Sequence, residues 1–138
     1  MSLQQQGAAA KAASRVLAIA GTEKKNKALL AIADALIGNR EEWLSANRED
    51  IAAAEAAGMR PALLDRLRLT PERIEGIAEG VRQVAALPDP IGHVDSMETR
   101  PNGLLIGRRR VPLGVIAMIF EARPNVAVDA AVLCLKSG

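Results

Sequence analysis

The feature that most constrains this chain is a run of eight apolar or small residues, Leu113 to Phe120. It ends in a polar elbow, Glu121-Ala122-Arg123-Pro124, and continues into a helical pattern. A short uninterrupted apolar segment bounded by turn formers suits a strand covered on both faces, as in a parallel sheet. A strand, a loop and then a helix open a βαβ unit, whose second strand must lie parallel to the first. No second such strand follows before Gly138. The expected fold class is therefore α/β, an N-terminal helical region followed by the start of a parallel sheet, with the sequence stopping partway into that fold.

Upstream, the pattern is helical. Ala9, Ala12, Ala13, Val16, Leu17 and Ala20 form a stripe that predicts a helix over 3–20, closed by Gly21. Thr22 is read as the N-cap of a second helix, with Glu23 in its first turn and Gly38 at its end. A short helix over 39–46 carries Trp43. Asn47 is then read as the N-cap of another helix over 48–57, stopped by Gly58. Pro61 starts a short helix over 61–67. The clearest start signal is Thr70-Pro71-Glu72, an N-cap followed by proline at the first helical position and an acid. From there Ile74, Ile77, Ala78, Val81 and Val84 run down one face to about Ala86.

Pro88-Asp89-Pro90 ends this grammar. Residues 91–103 read as a turn-rich connector containing Pro101-Asn102-Gly103, and Leu104–Val111 as a strand. Asn125 is read as the cap of a last helix over 126–137. The organisation expected is thus a helical region, 1–87, and a region of connector, strands and first β-α unit, 88–138.

Composition enters as a set of exclusions. Only Trp43 and Phe120 are aromatic, so the core must be built from Ala, Leu, Ile and Val, which suits closely packed helices. The net charge is +2 with both signs interspersed, which is not the clustered basic footprint of a nucleic-acid binder. Cys134 is the single cysteine, so no internal disulfide forms, and a reducing compartment fits. The N-terminus lacks the pattern of a signal peptide, and the longest apolar run is too short to span a bilayer. A cytoplasmic, soluble protein with no membrane and no nucleic-acid partner is expected.

Ligands of open parallel sheets bind beyond the carboxyl ends of the strands, which here means the loop 121–125. It offers a carboxylate, Glu121, and a guanidinium, Arg123, whose fork matches a carboxylate or phosphate. Asn125 stands at a helix N-terminus, where unpaired N–H groups favour an anion or a developing oxyanion. The plainer alternative is that Asn125 only caps its helix and Arg123 pairs with Glu121. Cys134, in mid-helix between Leu133 and Leu135 with no histidine nearby, reads as a buried structural thiol. His93 reads as an exposed loop residue and Arg108–Arg110 as a charged edge strand or a phosphate contact. No GxGxxG fingerprint, Walker loop or metal-ligand spacing is present.

Three segments carry a family resemblance: Arg108-Arg-Arg-Val-Pro-Leu-Gly-Val-Ile, Phe120-Glu-Ala-Arg-Pro-Asn-Val, and Leu133-Cys-Leu-Lys-Ser-Gly138. With Asn47 and Asp50-Ile51, Leu64-Asp-Arg-Leu and Leu69-Thr-Pro upstream, the chain closely resembles γ-glutamyl phosphate reductases over nearly its whole length. The resemblance implies an aldehyde-dehydrogenase-like fold with a Rossmann-like sheet, of which this would be the N-terminal part of the NADPH-binding domain. It implies NADPH-dependent reduction of γ-glutamyl phosphate to glutamate 5-semialdehyde in proline biosynthesis, through a cysteine thiolate and a thioester. Cys134 does not match that cysteine, which is expected beyond residue 138, so this segment is expected to be inactive alone. By the resemblance, Arg123 and Asn125 bind substrate, and Glu121 and Ala122 lie at the cofactor. Because the run Leu113–Phe120 lacks its parallel neighbours, its open edges predict a homo-oligomer. A reading from another class, an autonomous helical interaction module, fits the Ala-rich helices but gives no reason for the apolar segment 104–120. A third, an anion or nucleic-acid binder through Arg108–Arg110 and Arg123, is opposed by the scarcity of stacking aromatics.

Overall fold

The computed structural model describes residues 2–121 and 123–138. Six helices and one hairpin follow in the order α1 (Leu3–Leu17), α2 (Thr22–Gly38), α3 (Arg40–Ala56), α4 (Pro61–Leu67), α5 (Pro71–Ala86), β1 (Val94–Thr99), β2 (Leu105–Arg109) and α6 (Pro124–Lys136).

The core lies where α2, α5 and α6 meet. Leu29 and Ala33 of α2, Ala78, Val81 and Ala85 of α5 and Val132 of α6 form one buried cluster. On α5 the buried residues are Ile74, Ala78, Val81 and Ala85, at the spacing that keeps one helical face inward. Alanines at the contact let the helix axes approach closely, which is how a core almost without aromatic rings still packs. α1 adds little to this core, since none of its residues is buried.

Polar groups then lock the helices together. Lys25 of α2 is 2% exposed; it pairs with Asp89 and donates to the carbonyl of Lys136 at 3.0 Å. Lys136 of α6 is 4% exposed and donates to Asn26 Oδ1 at 2.7 Å and to the carbonyl of Ala85 at 2.9 Å. Both ammonium groups thus meet carbonyls at helix C-terminal ends, where the helix dipole favours positive charge. Asp89 also accepts from the Thr22 hydroxyl at 2.9 Å and the Ile91 N–H at 3.0 Å. Burial pushes the Asp89 carboxyl up, but the bonds from Lys25, Ile91 and Thr22 outweigh it and hold the group below its ordinary value.

Several expectations are corrected. Helices 39–46 and 48–57 are one helix, α3, because Asn47 is no cap. It lies buried on that helix, where Nδ2 donates to the Leu67 carbonyl at 2.8 Å and Oδ1 accepts from the Leu69 N–H at 2.7 Å. Its amide therefore satisfies the connector between α4 and α5. Gly58 ends α3 as expected, at φ 74°, with the Gly58 and Met59 amides donating to the carbonyls of Glu55 and Ala54. Gly21, not Thr22, caps α2, since the Thr22 hydroxyl is given to Asp89. The last helix begins on Pro124, so Asn125 is inside it rather than capping it.

The connector 91–103 contains a strand. β1 pairs antiparallel with β2, from Thr99↔Leu105 to Val94↔Arg109, with a bulge between Val94 and Ser96. The turn is three residues long. Gly103 donates to the Arg100 carbonyl at 2.8 Å and adopts φ 86°, which a side chain would resist. The expected strand Leu113–Phe120 is not formed. Residues 110–121 take no regular structure, and Leu113 and Ile119 are 89% and 100% exposed. A strand requires a neighbour to hydrogen-bond, and among the described residues the only sheet pairs β1 with β2 and does not include this run. The fold is thus mixed helical with a two-stranded antiparallel sheet, and among the described residues no parallel pair forms.

Two outcomes follow from these locks. Asn47→Ala should lower unfolding stability by about 1–3 kcal/mol, the cost of leaving buried backbone groups without partners, as read from urea denaturation. Because the folded-state pKa of Asp89 is depressed, its stabilisation is complete above the unfolded value of about 3.9 and is lost as pH falls through the lower folded value. Urea midpoints of the protein and of Asp89→Asn should differ most near neutral pH and converge on acidification below that window.

Candidate functional site

The N-terminal end of α6 opens on a cleft of about 450 Å³. One wall is α6 and the residue before it, with Arg123, Asn125 and Asp129. The opposite walls are α4 with the connector that follows it, and α5. α6 starts where it does because Pro124 occupies the first helical position, where a missing N–H costs nothing. Arg123 precedes it as the N-cap, in extended conformation and with no side-chain cap bond. The amides of the first turn therefore lack side-chain capping from that residue.

The charged groups of the cleft fall into two classes. Arg73 is committed, since its guanidinium donates to Asp65 Oδ1 at 3.0 Å and to the Arg68 carbonyl at 2.7 Å, tying α5 to the end of α4. Arg68 has Glu55 at 3.9 Å. Arg66 and Arg123 enter no ion pair among the described residues. Asp129 enters no ion pair among the described residues either; its Oδ2 accepts from Asn125 Nδ2 at 2.9 Å. An amide nitrogen carries two N–H groups, so Asn125 retains one donor after serving Asp129.

Gly76 and Gly80 of α5 line the same cleft, four residues apart on one face. A Cβ added at either would meet nothing within 4 Å. Next to the cleft, sharing Leu69, Ile77 and Pro124 with it, lies an apolar groove of about 370 Å³ bordered by Trp43.

The structure brings Arg123 and Asn125 together in the cleft and leaves the other expected residues apart. Glu121 is exposed, lies outside the cleft lining and forms no ion pair with Arg123, so the plain reading of that pair is corrected. Ala122 lies outside the described residues. Cys134 is half-buried rather than buried. His93 is largely exposed, 3.6 Å from Asp95. Arg110 is taken up by Asp95, with Nη2 at 2.8 Å and Nε at 3.0 Å from Oδ1, and it holds the Asp95 carboxyl below its ordinary range. Arg66, Asp129 and the two glycines were not singled out from the sequence. The signals present were the four-residue spacings, Asn125 to Asp129 and Gly76 to Gly80, each placing two residues on one helix face.

No protein-family model matches the sequence. Solved structures do. The chain superposes on the crystal structure of γ-glutamyl phosphate reductase from Thermotoga maritima with a TM-score of 0.94 and 41% identity, covering 99% of this chain and 33% of that one. Against the γ-glutamyl phosphate reductase from Saccharomyces cerevisiae the TM-score is 0.91 and the identity 34%, covering 99% of this chain and 35% of the other. The chain thus spans about a third of the length of each protein it matches. Along that third, in sequence and in fold, this chain is similar to the γ-glutamyl phosphate reductases.

Proposed function

We propose that this chain is the N-terminal part of the NADPH-binding domain of a reductase that converts γ-glutamyl phosphate to glutamate 5-semialdehyde with release of phosphate, in proline biosynthesis. The observation that carries the reading is agreement at 41% identity over 99% of the chain with a protein of that name. The activity belongs to a polypeptide of the relatives' length, and this segment alone is inactive. In that setting the run Leu113–Phe120 joins a parallel, Rossmann-like sheet, which gives its exposed apolar side chains a covering. The whole operates in the cytoplasm.

In this reading the elbow meets the reacting end of the substrate. Arg123, in no ion pair among the described residues, holds a phosphate or carboxylate of the substrate through its planar fork. Asn125 directs its remaining N–H at the acyl oxygen, where negative charge develops as a nucleophile adds. The α6 N-terminus adds its dipole to both. Cys134, on the sixth helix and half-buried, is not the nucleophile. Bound NADPH supplies the hydride. Glu121, exposed beside the elbow, is a carboxylate that fits the donor side of a nicotinamide carboxamide, and we assign it and Ala122 to that end of the cofactor. The glycine fingerprint for the cofactor's phosphates is absent from this sequence.

Fused to the remainder of the Thermotoga maritima reductase, the chain should support phosphate- and NADP⁺-dependent oxidation of glutamate 5-semialdehyde, the reverse direction of the same reaction. In that fusion Arg123→Ala should lower kcat/KM by roughly 10- to 100-fold, the range expected for losing a charge-assisted contact, with Tm unchanged. An inactive fusion refutes the reductase reading; an active one indifferent to Arg123→Ala removes that residue from the site.

We also propose a homo-oligomer. Every residue of β1 and β2 is exposed, and the hairpin keeps two open strand edges beside the exposed apolar run. Sedimentation velocity should show a dimer or larger species at micromolar concentration, and a stable monomer refutes this assignment.

A further inference from the structure

The cleft at the start of α6 holds a pattern of unneutralised charge that matches an amino acid. Two carboxylates line it, Asp65 and Asp129. Asp65 is neutralised by Arg73 at 3.0 Å, whereas among the described residues Asp129 has only the neutral amide of Asn125. Of the four arginines lining the cleft, Arg73 and Arg68 have acidic neighbours, and Arg66 and Arg123 have none among the described residues. What remains is one carboxylate and two guanidinium groups around a single space. A γ-glutamyl phosphate presents the complement: one ammonium, one carboxylate and one phosphate.

We infer that Asp129 is the specificity residue that receives the α-ammonium group, with the α-carboxylate on Arg66 and the phosphate end toward Arg123; this rests on the reductase reading of the same cleft. Spacing supports the placement. Arg123 and Asn125 lie at the very start of α6, and Asp129 is one turn further on, about 6 Å along the axis for residues four apart. A γ-glutamyl chain likewise places its α-nitrogen a few bonds from its acyl carbon. The Asn125–Asp129 bond couples the two ends, because the residue that would face the acyl oxygen also fixes the carboxylate that reads the amine. Gly76 and Gly80 add no side chain to the α5 wall at their positions, so the chain between the two ends has room. A substrate lacking the amine would forgo the charge-assisted contact with Asp129, and that lost contact is what discriminates.

The test uses the chain itself, with L-glutamate and glutarate as probes that differ by the α-amino group. Backbone amide NMR titration should show L-glutamate shifting signals of Arg66, Asn125 and Asp129 and binding at least roughly tenfold more tightly than glutarate, the discrimination expected of one charge-assisted contact. In Asp129→Asn, which is isosteric and still accepts the Asn125 N–H through its amide oxygen, that preference should vanish while the unliganded spectrum and Tm stay unchanged. Equal affinity for the two probes, a preference that survives Asp129→Asn, or no response to L-glutamate overturns the assignment. The fusion assay scores the reductase reading independently, so an active fusion alongside a failed titration removes Asp129 and leaves that reading in place.

Discussion

Two buried lysines set the geometry on which the rest of this molecule depends. Lys25 and Lys136 are more than a hundred residues apart in sequence and reach across each other, each donating to a group on or beside the other's helix. Lys136 also binds the end of α5, and Lys25 binds the Asp89 loop that follows it. A buried ammonium without acceptors would cost several kcal/mol, so these bonds hold only when all three helices are in register. The consequence is directional. With its C-terminal end fixed against α2 and α5, α6 has little freedom to rotate, and its opposite end must present Arg123, Asn125 and Asp129 to the cleft.

A division of labour among the charges follows. Arg73 and Asp65 spend their charge on each other and on the end of α4, and Arg110 and Asp95 do the same within the hairpin. Such exposed pairs contribute little to stability, but they remove those groups from competition for a ligand. The groups left over, Arg66, Arg123 and Asp129, converge on one cleft. A helical scaffold has thereby placed uncommitted charge on one side of itself.

How much of this was legible depended on whether the cause was local. Thr70-Pro71 announced α5 because an N-cap and an N1 proline act within one turn, and Gly58 announced the end of α3 for the same reason. The same proline signal at Pro124 was passed over in favour of Asn125, and the start of α6 was misplaced by two residues. Asn47 misled because its local preference is to cap, while its actual partners, Leu67 and Leu69, lie some 20 residues away. β1 was invisible because Val94-Asp-Ser-Met-Glu-Thr99 has no alternation and carries strand formers only at its two ends, so its pairing with β2 is what marks it as a strand. Leu113–Phe120 carries the composition of a buried strand without, in this chain, the neighbours that would make it one. Of the site, the elbow residues were readable from their types, but the pairing that leaves Asp129 and Arg66 uncommitted exists only in three dimensions.

The glycines at 76 and 80 carry one more implication. A helix interior is a poor place for glycine, which costs roughly 1 kcal/mol relative to alanine at each position. A methyl group at either site would strengthen α5 and take up part of the cleft that these glycines line. Robustness and capacity are therefore opposed at the level of a single carbon atom. Selection for a hardier protein and selection for a roomier one would pull these two positions in opposite directions.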